Sequence, residues 1–156
     1  GMGRRKFSVL SERTQLFRKK NECFWVQFII TQNCEKIKKL YNTVLSAQLA
    51  ALDMLKAGVD CKDADKAARD IIDAIEEYKG TFGHSLGHGV GLFIHEDPRL
   101  AKSNAGRALR VGEIVTVEPG IYLYGKYGCR IEDMVAIEEN GVYNFTASPK
   151  NLIEIL

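Results

Sequence analysis

The sequence predicts an α+β domain in which two helices cover one face of a curved antiparallel sheet. Two stretches between residues 33 and 78 place apolar residues at a 3.6-residue period, the signature of amphipathic helices. From residue 84 onward, short alternating stretches punctuated by Gly and Asn-Gly take over, the signature of strands joined by tight turns. The order is helix, helix, strands, without the alternation of helix and strand that builds a parallel doubly wound sheet. With 156 residues, of which 46% are hydrophobic and 27% charged, the chain has an ordinary globular composition and length for one substantial core.

Residues 1–32 read as a basic arm followed by a strand. Residues 1–40 hold ten Lys and Arg against Glu12, Glu22 and Glu35, an excess of +7 on a chain whose net charge is only +2. No aromatic residues are interleaved at recognition spacing, so this is a solvated arm and no nucleic-acid surface is expected. The apolar run over residues 23–30, Cys-Phe-Trp-Val-Gln-Phe-Ile-Ile, reads as a buried strand and is too short to span a membrane. Cys23, Cys34, Cys61 and Cys129 form no C-x-x-C pair and no regular framework, which points to reduced thiols and a cytoplasmic protein.

The functional unit is expected over residues 33–156. Its first helix has Asn33 as N-cap, with Ile37, Leu40, Tyr41, Val44, Leu45, Leu52 and Leu55 on the apolar face and Gly58 as the stop. A second is predicted over residues 63–78. Ala64, Ala67, Ala68, Ile71, Ile72 and Ile75 form its packing face, Asp63 and Asp65 favour the N-terminal dipole, and Gly80 ends it.

Next comes His84-Ser-Leu-Gly-His88-Gly-Val-Gly-Leu-Phe-Ile-His95-Glu-Asp-Pro98, which holds all three histidines of the chain. His84 and His88 are four apart, but Ser85 stands where a helical zinc-protease motif needs its Glu, and Gly83, Gly87, Gly89 and Gly91 disfavour a helix. A strand-and-turn segment is predicted, with glycine permitting close backbone approach. Residues 98–110 read as a loop and residues 111–117 as a strand that sets Glu118 at its end, beside Pro119 and Gly120. Residues 128–138 alternate as one strand, with Ile131, Asp133, Val135 and Ile137 on one face and Arg130, Glu132, Met134 and Ala136 on the other. Asn140-Gly141 turns the chain back into a strand over residues 142–146, and residues 152–156 form a last short strand.

A histidine with two glutamates on separate strands is a borderline-to-hard donor set, suited to Mn, Fe, Co or Zn. In this order, the histidine segment, Val117-Glu-Pro-Gly-Ile-Tyr122 and Gly128-Cys-Arg-Ile-Glu-Asp-Met-Val135 closely resemble the Xaa-Pro dipeptidase (prolidase) and Xaa-Pro aminopeptidase family, relatives of methionine aminopeptidase and creatinase. The resemblance runs from about residue 38 to the end of the chain. It implies the C-terminal half of the pita-bread fold and metal-assisted hydrolysis of the peptide bond before proline. His88 would be the histidine ligand, Glu118 a ligand that also helps deprotonate the attacking water, and Glu132 the carboxylate shared between metals. His84 and His95 would flank the substrate, a proline-containing dipeptide or short peptide, and Arg130 would orient Glu132 or nearby substrate groups.

The resemblance also implies two aspartate ligands upstream of the first helix, and no Asp precedes Asp53. Glu12, Glu22 and Glu35 have no spacing that recommends them as replacements. A truncated gene, a shifted reading frame or a diverged half-domain would each give this pattern. One weak metal site at most is expected, with poor or no turnover. The competing function is a catalytically dead half-fold that binds peptides or a partner chain. Either way a half-fold exposes a sheet edge, so a twofold dimer with residues 23–30 near the contact is expected.

Overall fold

The computed structural model of the protein describes residues 35–152. The predicted basic arm, the strand over 23–30, the Asn33 cap and all but the first residue of the strand over 152–156 lie outside that range. Two helices, α1 (Glu35–Met54) and α2 (Cys61–Asp73), precede seven strands: β1 (Gly87–Gly89), β2 (Glu96–Leu100), β3 (Ile114–Val117), β4 (Gly120–Leu123), β5 (Tyr127–Arg130), β6 (Asp133–Ile137) and β7 (Val142–Asn144). Five strands form an antiparallel sheet in the order β2-β1-β3-β6-β7, and β4 pairs with β5 as a separate ribbon. This is the predicted α+β arrangement of two helices on an antiparallel sheet.

The helices form because their apolar positions recur on one side. α1 buries Ile37, Leu40, Tyr41, Val44, Ala47, Gln48 and Ala51, and α2 buries Cys61, Ala64, Asp65, Ala68 and Ile72. The small alanines of α2 let it lie against α1, and the buried residues of both helices join Leu100, Val115, Val117, Ile121, Cys129, Val135 and Ile137 of the strands in one core. Gln48 reaches from α1 to the sheet and donates to the Val117 carbonyl at 3.2 Å. Burying Leu86, which is fully enclosed, contributes roughly 1.5–3 kcal/mol of the hydrophobic stabilisation of this layer.

Several boundaries differ from the sequence expectation. The second helix starts earlier, at Cys61, because Asp60 caps it by accepting from the Lys62 N–H. It stops at Asp73, whose side chain accepts from Gly80 N–H, and a 3-10 turn over Glu76–Tyr78 then swings the Tyr78 ring into the core. Asp65 does not serve the helix dipole in solvent; it points inward and is buried. Residues 98–110 are no plain loop, since Pro98 lies inside β2. That strand is a sheet edge, where a residue without an N–H is tolerated, and it bulges between the Gly87–Leu100 and Gly89–Glu96 pairs. The strand expected over 111–117 begins only at Ile114, because Gly112 takes a left-handed turn at φ 86°.

The stretch 128–138 is two strands, β5 in the ribbon and β6 in the main sheet, parted at Ile131 and Glu132. The alternation still holds within β6, where Asp133, Val135 and Ile137 are buried against the helices and Met134 is exposed. β4 was not expected; it pairs with β5 through the turn at Gly125. β7 returns after Asn140-Gly141 as predicted but is shorter, ending at Asn144. None of the helices described is long and apolar enough to cross a membrane.

Candidate metal centre

Side chains on the sheet face away from the helices gather where β1, β3 and the β4–β5 ribbon meet. Strand alternation sends Val115 and Val117 to the core and Thr116 to the opposite face. The Thr116 hydroxyl accepts from the His88 N–H at 3.1 Å and lies 3.1 Å from Glu118 Oε1, to which it donates. The Glu118 N–H donates to the Leu86 carbonyl at 2.7 Å, which sets the residue after β3 beside β1. In the ribbon Arg130 pairs with Gly120, and this brings the guanidinium back towards Glu118.

Glycine is needed in β1 for close approach. A Cβ on Gly87 would stand 1.8 Å from the Thr116 carbonyl oxygen, and one on Gly89 would stand 2.2 Å from that of Asp97. Any larger residue would push β1 away from its neighbours and move His88 with it.

His88 Nε2 lies 3.1 Å from Glu118 Oε1, both side chains being nearly buried. The other ring nitrogen, Nδ1, is 3.0 Å from the Gly89 carbonyl. A carbonyl only accepts, so Nδ1 carries a hydrogen and the lone pair of the neutral ring sits on Nε2. A lone pair and a carboxylate oxygen at that separation repel unless positive charge stands between them, supplied by a second ring proton or by a cation. His95 packs edge-on against His88 with ring centres 4.4 Å apart.

Arg130 joins the two glutamates. Its Nε is 3.6 Å from Glu118 Oε2 and its terminal nitrogen is 3.3 Å from Glu132 Oε2. The Glu132 carboxyl is held above its ordinary value, first by burial and next by the charge of Glu118, with Arg130 and His88 opposing. Like charge and lost hydration thus outweigh the one guanidinium.

His84 reaches this group through Tyr122, which interacts with Arg130. Its Nδ1 donates to the Ser85 carbonyl at 2.8 Å, so Nε2 accepts from the Tyr122 hydroxyl at 2.9 Å. Burial raises the Tyr122 phenol above its ordinary value, against the charge of Arg130. The structure therefore connects His88, Glu118, Arg130 and Glu132 in one chain of contacts, adds His95 by ring packing, and sets His84 against Tyr122. Among the described residues no three His, Cys, Asp or Glu side chains are close enough to hold an ion as they stand. His88 Nε2, Glu118 and Glu132 carry the kind of donors that hold a divalent cation. Glu35 is on α1, exposed and beside Lys38, so it gives no replacement ligand. Thr116 and Tyr122 were missed from sequence; the signal was their place in strands beside Glu118, visible only once β4 is recognised.

A helix-backed antiparallel sheet that gathers an imidazole and two carboxylates at its strand ends is the frame of a metallopeptidase. The chain belongs to metallopeptidase family M24, whose model matches residues 22–139. It is 44% identical over 119 residues to the Xaa-Pro dipeptidase of Pyrococcus horikoshii, covering 76% of this chain and 33% of that protein. It is 43% identical over 124 residues to an uncharacterised peptidase of Bacillus subtilis, covering 80% and 35%. Among solved structures it is similar to the Xaa-Pro dipeptidase from Bacillus anthracis, with a TM-score of 0.77 and 44% identity over 82% of this chain and 36% of that one. The prolidase from Pyrococcus furiosus gives a TM-score of 0.72 and 43% identity, over 76% and 34%. The chain spans about a third of the length of the curated relatives it matches, and its fold is the C-terminal half of the pita-bread fold.

Proposed function

We propose that residues 33–156 are the hydrolytic half of a metal-dependent peptidase acting on the bond before proline, and that this chain by itself turns over poorly or not at all. The observation that carries the reading is the His88–Glu118 pair, whose Nδ1–H is committed to Gly89 and whose Nε2 faces a carboxylate oxygen at 3.1 Å. His88, Glu118 and Glu132 would hold a divalent cation, with Mn, Co, Fe and Zn all compatible with these donors. Once bound, such a cation polarises a scissile carbonyl and makes water acidic enough to attack at neutral pH.

The chain's own residues divide the remaining work. Glu118, oriented by the Thr116 hydroxyl, receives the proton of the attacking water. Arg130, 3.3 Å from Glu132, orients that carboxylate or nearby substrate groups. His84 and His95 flank the substrate and stabilise the tetrahedral intermediate. A proline-containing dipeptide or short peptide is the substrate class, supported by the names of the relatives in Pyrococcus and Bacillus. Weak turnover follows from the aspartates that the resemblance calls for, since no Asp precedes Asp53 and fewer anionic ligands offset the dehydration of the ion. A cytoplasmic homodimer completes the reading.

The test is hydrolysis of Xaa-Pro dipeptides by the purified chain with added Mn, Co or Zn, beside a Glu118→Ala control. Trace turnover that disappears in the control is expected. Robust turnover abolished by the substitution would overturn the ligand count, with a glutamate of the arm or of a second subunit completing the site; turnover that survives it would remove Glu118 from the chemistry.

A further inference from the structure

Asp65 lies on α2 with its side chain only 2% exposed, and its carboxylate meets three donors. Arg69, one helical turn on, gives two of them: Nε to Oδ2 at 2.8 Å and a terminal nitrogen to Oδ1 at 2.9 Å. The third is the main-chain N–H of Leu86, at 3.0 Å from Oδ1. The same guanidinium donates to two carbonyls of the histidine segment, Phe82 at 2.7 Å and His84 at 2.8 Å. It also stacks over the Phe82 ring at 4.3 Å, and the Phe82 ring meets His84 edge-on at 5.0 Å. One ion pair on one helix face thus fixes the main chain at residues 82, 84 and 86 together with the ring that His84 packs against.

We propose that Asp65 and Arg69 are the positioning residues of His84, holding it so that Nδ1–H stays on the Ser85 carbonyl and Nε2 stays turned to Tyr122. The role of His84 beside a substrate rests on the function proposed above; the positioning itself does not. A planar fork is required for this task. It must bind a carboxylate in two places, reach two carbonyls and lie flat on a ring, and a lysine ammonium offers none of that geometry. Leu86 extends the effect, because its carbonyl receives the Glu118 N–H and its own N–H is shared with the Leu100 carbonyl.

The experiment uses the full chain with its histidine ring nitrogens isotopically labelled. Only three histidines are present, so each is assigned by its loss in a His→Gln variant. In the wild type His84 is expected to show the well-separated pair of ring resonances of a single tautomer. Arg69→Lys is expected to merge that pair towards a tautomer average while leaving His88 and His95 in place. Arg107→Lys, which weakens the Arg107–Glu113 pair elsewhere in the fold, is the control for general loss of stability. An unchanged His84 pattern in folded Arg69→Lys, with a melting temperature lowered as in the control, would reduce the pair to a structural strut and overturn the proposal. Should Arg69→Lys not fold, Asp65→Asn carries the same comparison. Failure of the proposed peptidase function would appear separately, as a chain that binds no metal and cleaves nothing while His84 still responds to Arg69.

Discussion

Two ion clusters flank the histidine segment, and they are built to opposite ends. In the α2 cluster one buried carboxylate meets one guanidinium at 2.8 and 2.9 Å, and two further donors reach main-chain carbonyls. On the other face of the sheet two carboxylates share one guanidinium at 3.3 and 3.6 Å, and His88 Nε2 stands 3.1 Å from one of them. The first cluster is balanced in charge and geometry, so it holds structure. The second sets two carboxylates against one guanidinium at longer range, an arrangement that supports the metal site proposed above. Within one fold, the tightly matched pair holds the histidine segment in place, and the loosely matched cluster is where the proposed metal site lies.

The difference is broken most severely at the Asp65–Arg69 pair. Asp65→Ala leaves the Arg69 guanidinium without its carboxylate, and a loss of about 3–5 kcal/mol in denaturant unfolding is expected, whereas Arg130→Ala on the site side should change stability by less than about 1 kcal/mol. Equal losses would erase the distinction. Gly87→Ala, which forces a Cβ onto the Thr116 carbonyl, should cost about 1–3 kcal/mol and shift the His88 resonances, since β1 must move.

A smaller effect is expected on the alkaline side. Burial pushes the Cys129 thiol from its ordinary value of 9.0 up to about 12. The unfolded chain then releases its proton first, so this contribution to stability is complete below pH 9 and is lost as pH rises towards 12. By pH 10 the loss is about 1 kcal/mol, and Cys129→Ala should flatten that part of a stability–pH profile. The smallest change expected is a gain: Glu132→Gln removes one of two repelling carboxylates and should stabilise the metal-free protein by less than about 1 kcal/mol, an advantage that fades with added salt.

Much of this was legible in the sequence, for reasons that can be stated residue by residue. The helices announce themselves because Leu40, Val44, Ala47 and Ala51, and Ala64, Ala68 and Ile72, fall on single faces. Asp133, Val135 and Ile137 gave the parity of β6 correctly. The break before β6 stayed hidden because alternation continues through Ile131 and Glu132 while the chain changes sheets, and parity carries no information about partners. Asp65 was misread because an acidic residue in the first turns of a helix suits the dipole as well as it suits burial; its place between Ala64 and Ala68, with Arg69 one turn on, was the sign of an inward ion pair. The histidines and glutamates of the site were visible as residues. Thr116, Tyr122 and the link through Arg130 depend on which strands pair, and that is set by topology.

The central claim is that the loosely matched cluster is made for a divalent cation. Thermal unfolding of the full chain during titration with Mn, Co or Zn tests it most directly, set beside His88→Ala and Glu132→Gln. The account predicts a melting temperature that climbs with metal concentration in the wild type, weakly in Glu132→Gln and not at all in His88→Ala. A wild type that ignores all three metals to millimolar concentration, or a His88→Ala variant that responds as the wild type does, would contradict it.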